Sequence, residues 1–356
     1  MSEMHLLRQE LIKAEIVHYA DNKVLVTSFA NKVTLKQGKN ETVYRLPQHG
    51  WQKLMLPFRL ARRALRLDKC NVFPLFSGSA VTALIAIRQG IVYRIDCQNG
   101  EIKETLTLRQ CRNVLHRSIC KSPEGHLYFG EYGRNSERKS VPVYRSVDQG
   151  QSWTVIYEFP EKSIKHIHGC FWDPYEEKVW VCTGDYKNEN YIIVANEDFN
   201  SIETLGDGSQ KWRTCFPFFK NEEVIWAMDS ELETSYICSL QRKDRTLTKV
   251  QDLPGPVWYA KELTDGWHCI ATVQEIGIGV KDKHSHILVS QDAKNWQPVH
   301  KLEADWYPKR YLKFGAIGFA DGPQSSEKFY IFAEALSGWD GKSFCCKLTV
   351  TEQRPA

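Results

Sequence analysis

The stretch Tyr144-Arg-Ser-Val-Asp-Gln-Gly-Gln-Ser-Trp153 decides how this 356-residue chain is read. It has the form Ser-x-Asp-x-Gly-x-Ser-Trp, with Ser146, Asp148, Gly150, Ser152 and Trp153 in the telling places. An aspartate there folds back on its own backbone as an Asx-turn. A glycine permits positive φ, and a tryptophan packs under the turn. The stretch is therefore a self-contained corner between two strands.

Weaker echoes follow it. Ala195-Asn-Glu-Asp-Phe199 comes after Tyr-Ile-Ile-Val, Ser290-Gln-Asp-Ala-Lys-Asn-Trp296 comes after His-Ile-Leu-Val, and Ser239-Leu-Gln-Arg-Lys-Asp lies between them. Four short strands need a period of roughly 40 to 50 residues, and these corners recur on that scale. Strand-like runs at 126–132, 179–183, 224–228, 267–273 and 329–333 each follow a polar or glycine-bearing turn. The division gives units at 11–47, 70–108, 113–158, 166–206, 212–253, 256–302 and 311–350. The expected fold is all-β, one propeller domain over 1–356 with seven four-stranded blades. A six-bladed count with the N-terminal part as a decoration stays open. The N-terminal strand is expected to complete the last blade.

One segment breaks the pattern. Residues 51–69 (WQKLMLPFRLARRALRLDK) read as an inserted helix after Pro57, with Arg59, Arg62, Arg63 and Arg66 on one basic stripe. That stripe suggests contact with an anionic membrane surface, or else a solvated face.

Composition narrows the function classes. With 47 basic and 43 acidic residues the net charge is +4, too balanced for nucleic-acid binding. The eleven cysteines form no CxxC pair, and several, such as Cys170, Cys182, Cys238 and Cys269, sit in apolar runs. They read as reduced core thiols. With no apolar leader-like segment at the N-terminus, a cytoplasmic location is expected.

In a four-stranded blade the start of the first strand and the end of the second share one face. The ends of second strands here carry Glu131, Asp185, Asp229, Glu275 and Glu334, with Glu231 just beyond Asp229. The starts of first strands carry His116-Arg117, His166-Ile-His168, Trp212-Arg213, Trp258-Tyr259 with Lys261, and Arg310-Tyr311 with Lys313. The pattern predicts a funnel of carboxylates, imidazoles, guanidinium groups and aromatic rings. Such a mixture suits an acidic oligosaccharide or polysaccharide: arginine forks a carboxylate, rings stack on pyranoses, and carboxylates or histidines move protons. A structural belt of acid–arginine pairs is the other reading. His166 and His168, at i and i+2 on a strand, share a face. With His116 and a carboxylate they could hold a divalent metal; otherwise no cofactor is expected.

The turn at 144–153 resembles the Asp-box of sialidase-like (BNR-repeat) propellers, especially the bacterial glycosyl-hydrolase-like members. The resemblance spans roughly 110–305. It implies three arginines on a sugar carboxylate, a tyrosine–glutamate nucleophile pair and an aspartate acid/base. Arg117, Arg213 and Arg310 match the arginines, and Tyr132 or Tyr259 with Glu131, Glu231 or Glu275 match the pair. The candidates for chemistry are then Glu131, Tyr132, His168, Asp229, Glu231 and Glu275. Those for holding the ligand are His116, Arg117, His166, Trp212, Arg213, Tyr259 and Arg310. The Arg-Ile-Pro motif of sialidases is absent. The expected function is a glycoside hydrolase, with a lyase second; the alternative is a non-catalytic propeller that binds a glycan or a protein.

Overall fold

Strands such as Lys178–Gly184, His268–Thr272 and Phe329–Glu334 are mostly apolar and buried along almost their whole length. A run of that kind must be covered on both faces. The last strands of the same repeats, such as Thr154–Phe159 and Leu247–Asp252, are mostly open to solvent. Sheets packed face to face, each with one wet outer strand, satisfy both.

In the computed structural model, which describes residues 3–48 and 50–351, the strands form seven four-stranded sheets. Six are built from consecutive strands and span 16–45, 71–107, 120–159, 166–208, 217–252 and 257–303. In the seventh, Ala316–Phe319, Phe329–Glu334 and Lys342–Thr351 are joined by the N-terminal strand Glu3–Ile12, which pairs antiparallel with Lys342–Thr351. The protein is an all-β, seven-bladed β-propeller. The six-bladed alternative fails because 16–45 and 71–107 are complete blades. The blades group into two compact units, residues 69–250 and residues 1–68 with 251–356.

The corner at 144–153 joins the third and fourth strands of its blade. Ser146 Oγ bonds Asp148 Oδ1 at 2.8 Å and accepts the Gly150 N–H at 2.8 Å. Asp148 accepts the Ser152 N–H at 2.9 Å and its hydroxyl at 2.6 Å. Trp153 packs edge-on against Phe129 at 4.9 Å. In the other unit, Ser290, Asp292 and Trp296 repeat the design, with Asp292 accepting from Asn295 N at 2.7 Å. Each of the four corners carries one non-glycine residue at positive φ: Gln149, Phe199, Arg245 and Ala293. Even the corner after Ser239 thus shares a left-handed residue with the others.

The inserted segment forms α1 (Gln52–Met55) and α2 (Arg59–Leu65), separated at Pro57. Its arginines do not make the exposed basic stripe expected from the sequence. Arg62 and Arg63 are buried. Arg59 forks Asp340 at 2.7 and 3.0 Å and meets Glu15 at 2.9 Å and Asp68 at 2.6 Å. Arg62 meets Glu15 at 2.7 Å, and Arg63 pairs with Asp305. Lys313 closes the network on Asp68 at 2.7 Å and Glu334 at 3.0 Å. Arg66 is half-buried beside Glu334 and Asp68. The physical reason is that cations taken out of water need paired acids; the blades of this unit supply Glu15, Asp305, Glu334 and Asp340, and the inserted segment itself supplies Asp68. Several apolar residues of the helical segment are turned outward: Trp51, Leu54, Phe58 and Leu60 are exposed, while Leu67 is buried.

Gly150 sits at φ +76°, and a Cβ there would lie 2.2 Å from Ile85 Cδ1. Gly150→Ala should therefore lower stability by about 1–2 kcal/mol, the cost of a left-handed non-glycine residue, as read from urea unfolding. Burial disfavours the Asp340 carboxylate, but hydrogen bonds and charge from Arg59 outweigh it and hold its pKa below the usual value. A depressed folded pKa contributes stability above the unfolded pKa of about 3.9. That contribution is lost as pH falls through the folded value. Asp340→Asn should accordingly lower stability at pH 7 and flatten the loss below about pH 4 in pH-dependent melting.

Candidate functional site

In the unit of residues 69–250, the inner strand ends of three successive blades meet in one charged cluster. Its centre is Asp185, placed just past the strand Lys178–Gly184. The strand His166–Asp173 presents His166 and His168, both buried. The loop before Pro217–Phe219 brings Arg213 and Cys215, and Asp229 and Glu231 follow Glu223–Ala227.

Each imidazole is anchored by its Nδ1. His166 Nδ1 lies 2.8 Å from the Gly133 carbonyl and His168 Nδ1 lies 3.0 Å from the Thr214 carbonyl. A carbonyl only accepts, so both Nδ1 atoms carry the proton and donate. The two Nε2 atoms then face one atom, Asp185 Oδ1, at 3.2 and 3.3 Å. Lys165 pairs with the other oxygen of Asp185. The Arg213 guanidinium, 3% exposed, spans three carboxylates: Asp185 at 3.2 Å, Asp229 at 3.3 Å and Glu231 at 2.6 Å. Cys215 donates its S–H to Asp229 Oδ2 at 3.4 Å. Asp229 Oδ1 has no hydrogen-bond partner among the described residues. Tyr132 lies against His166, with ring centroids 4.1 Å apart.

The glycine before Asp185 permits this approach. A Cβ on Gly184 would sit 2.5 Å from Asn190 Oδ1 and 3.0 Å from Arg213 Cγ. Electrostatics then separates the two aspartates. Burial opposes the charge on Asp185, but His166, His168 and Arg213 outweigh it and hold its pKa well below the usual range. Burial raises Asp229, and Arg213 only partly offsets this. Burial lowers His166, and Asp185 works against that shift. Burial and Asp229 together push the Cys215 thiol well up, so it is inert as a nucleophile.

The structure thus brings together Tyr132, His166, His168, Asp185, Arg213, Asp229 and Glu231. Several expected roles need correction. Glu131 is a structural acid: it accepts the Arg109 and Gln110 N–H groups at 2.7 and 2.8 Å and the Tyr144 hydroxyl at 2.8 Å. Arg213 does not offer an open fork, because three protein carboxylates fill it. Trp212 is buried against Trp226 at 5.7 Å and belongs to the core rather than to a stacking surface. Arg117, at φ 64°, lies over the Phe216 ring at 4.4 Å, and the strand expected at His116 begins only at Cys120.

The remaining candidates belong to the other unit. Tyr259 is buried in its apolar core beside Phe332. Glu275 is half-buried in the loop after His268–Thr272. Arg310 is exposed on α3 (Lys309–Leu312), over the ring of its neighbour Tyr311, and the strand expected there begins at Ala316. Glu334 is tied to Lys313.

Sequence reading missed Lys165 and Cys215. The first directly precedes His166 and the second lies two residues after Arg213, so their proximity to assigned residues was the available signal.

No protein-family profile matches the chain, and no curated protein matches it. Solved structures do. A structure described as YCF48 bound to D1 peptide matches with a TM-score of 0.56 at 11% identity, over 99% of this chain and 97% of that one. A structure from a study of two prolyl endopeptidases matches with a TM-score of 0.51 at 10% identity, over 99% of this chain. The present chain spans half of that endopeptidase chain. At such identities the likeness shows the propeller fold alone.

Removing the shared guanidinium should be costly. Arg213→Ala leaves Asp185, Asp229 and Glu231 facing one another out of water, and a loss of about 3–5 kcal/mol is expected. Urea unfolding at pH 7 measures it.

Proposed function

We propose that the chain is a carbohydrate-active propeller that cleaves an anionic glycan at this cluster. The observation that carries the reading is the convergence on one buried guanidinium of carboxylates from successive blades, beside two imidazoles and Tyr132. Structural ion pairs alone need no half-open tyrosine and no pair of imidazoles aimed at one oxygen. Asp229 is too enclosed to touch a ligand. Glu231, with a side chain 20% exposed, is the carboxylate that reaches outward. In this reading Glu231 and Tyr132 move the protons. Asp185 with the two histidines forms a polar floor that orients the sugar. Lys165 and Arg138 flank the exposed Tyr186 ring at 5.2 and 5.4 Å, a cationic and aromatic rim that suits an acidic pyranose.

The reaction class is hydrolysis with a carboxylic acid as proton donor, or elimination next to the sugar carboxylate. A second reading, a propeller that binds a peptide, draws on the peptide-bound structure of similar fold. The exposed Trp51, Leu54 and Phe58 offer it apolar contacts.

The test is incubation with a panel of uronate- and sialate-containing oligosaccharides, with products read by mass spectrometry. Cleavage of at least one member is expected. Glu231→Gln should reduce it by at least about 100-fold with little change in melting temperature. Saturable binding of peptides with no glycan product would replace this reading by the second.

A further inference from the structure

The two histidines of the floor pose a problem in hydrogen-bond accounting. With both Nδ1 atoms donating to backbone carbonyls, a neutral ring leaves a lone pair on Nε2. Both lone pairs point at Asp185 Oδ1, an acceptor. That oxygen also lies 3.2 Å from Arg213 Nη2. Three partners therefore crowd one carboxylate oxygen, which has two lone pairs to offer.

We infer that His166 Nε2, His168 Nε2 and Asp185 Oδ1 are the ligands of one divalent first-row transition-metal ion. Zinc is the species by which the inference is tested. The spacing supports it. Nitrogen and oxygen ligands at about 2.0–2.2 Å, with tetrahedral or octahedral angles, stand roughly 2.8–3.6 Å apart. The two Nε2–Oδ1 separations are 3.2 and 3.3 Å. All three ligand atoms lie within 4.8 Å of one another.

The surroundings have the form that a metal site needs. Each histidine is oriented through Nδ1–H on a carbonyl, which fixes the tautomer and points Nε2 inward. Lys165 holds the other oxygen of the ligating carboxylate, and Arg213 Nη2 lies 3.2 Å from the ligating one. Two imidazoles with one carboxylate suit zinc or iron(II) and leave positions open. The adjoining trio His168, Cys215 and Asp229 does not qualify. The histidine nitrogen nearest that trio's sulfur is Nδ1, which donates to Thr214, and the thiol donates to Asp229.

The inference adds a Lewis acid to the floor assigned above, but it stands on ligand geometry alone. Metal binding without glycan turnover would preserve it and sink only the catalytic reading.

The experiment uses the full chain, stripped with a chelator and titrated with zinc alone and with cobalt(II) alone. One ion per chain is expected by elemental analysis and calorimetry. Binding should weaken by at least about tenfold in His166→Gln and in His168→Gln. No saturable binding to the parent chain would overturn the inference. Unchanged binding in both variants would also overturn it. If either variant fails to fold by circular dichroism, the cobalt spectrum of the parent chain decides. Visible d–d bands without a sulfur-to-cobalt charge-transfer band support the site, whereas that band would place the ion on cysteine and overturn it.

Discussion

Charged groups gathered at the ends of inner strands lose most of their water, and every one of them must find an opposite charge or a hydrogen bond. Arg213 is where this constraint is tightest. Its planar guanidinium lies within 3.3 Å of carboxylate oxygens of Asp185, Asp229 and Glu231 on three sides. The positions of those acids are tied together by that one group. The ionised Asp185 then lies where both histidines point. The unit of residues 1–68 and 251–356 meets the same constraint with Arg59, Arg62, Arg63 and Lys313. There the result is an enclosed ion network rather than an assembly with a half-open tyrosine.

Much of the architecture is legible in the sequence because it rests on local physics. The Asx-turn at Asp148 needs only its own neighbours, and its echo at Asp292 forms the same bonds. The buried second strands are visible as apolar runs, and the acids at their ends follow directly. The helix after Pro57 is visible from its periodicity, but its orientation is not. Nothing near Arg59 in the chain announces Asp340 or Asp305, which lie far along the sequence. A basic stripe with distant partners looks identical to a solvated one.

The candidate site divides in the same way. Tyr132, His166, His168, Arg213, Asp229 and Glu231 come together because blade repetition places them at equivalent ends. Which of them is open to a ligand depends on side-chain partners that no spacing reveals. Glu131 has the same register as Asp185, yet its oxygens accept the Arg109 and Gln110 amides. Tyr259 and Trp212 read as surface rings because aromatic type alone does not tell core from rim. Two strands expected at Arg213 and Arg310 begin later, at Pro217 and Ala316, because a short helical turn precedes each.

The direction in which His166 and His168 point governs the rest of the site. Nitrogen-15 spectra of the labelled imidazoles at neutral pH report which ring nitrogens are protonated. Protonated Nδ1 on both residues, with Nε2 resonances that respond to substitution of Asp185, is the result the geometry requires. A neutral ring protonated at Nε2 on either histidine would contradict it, because its Nδ1 would then have no proton to give the backbone carbonyl it faces and its Nε2 no lone pair to offer an ion.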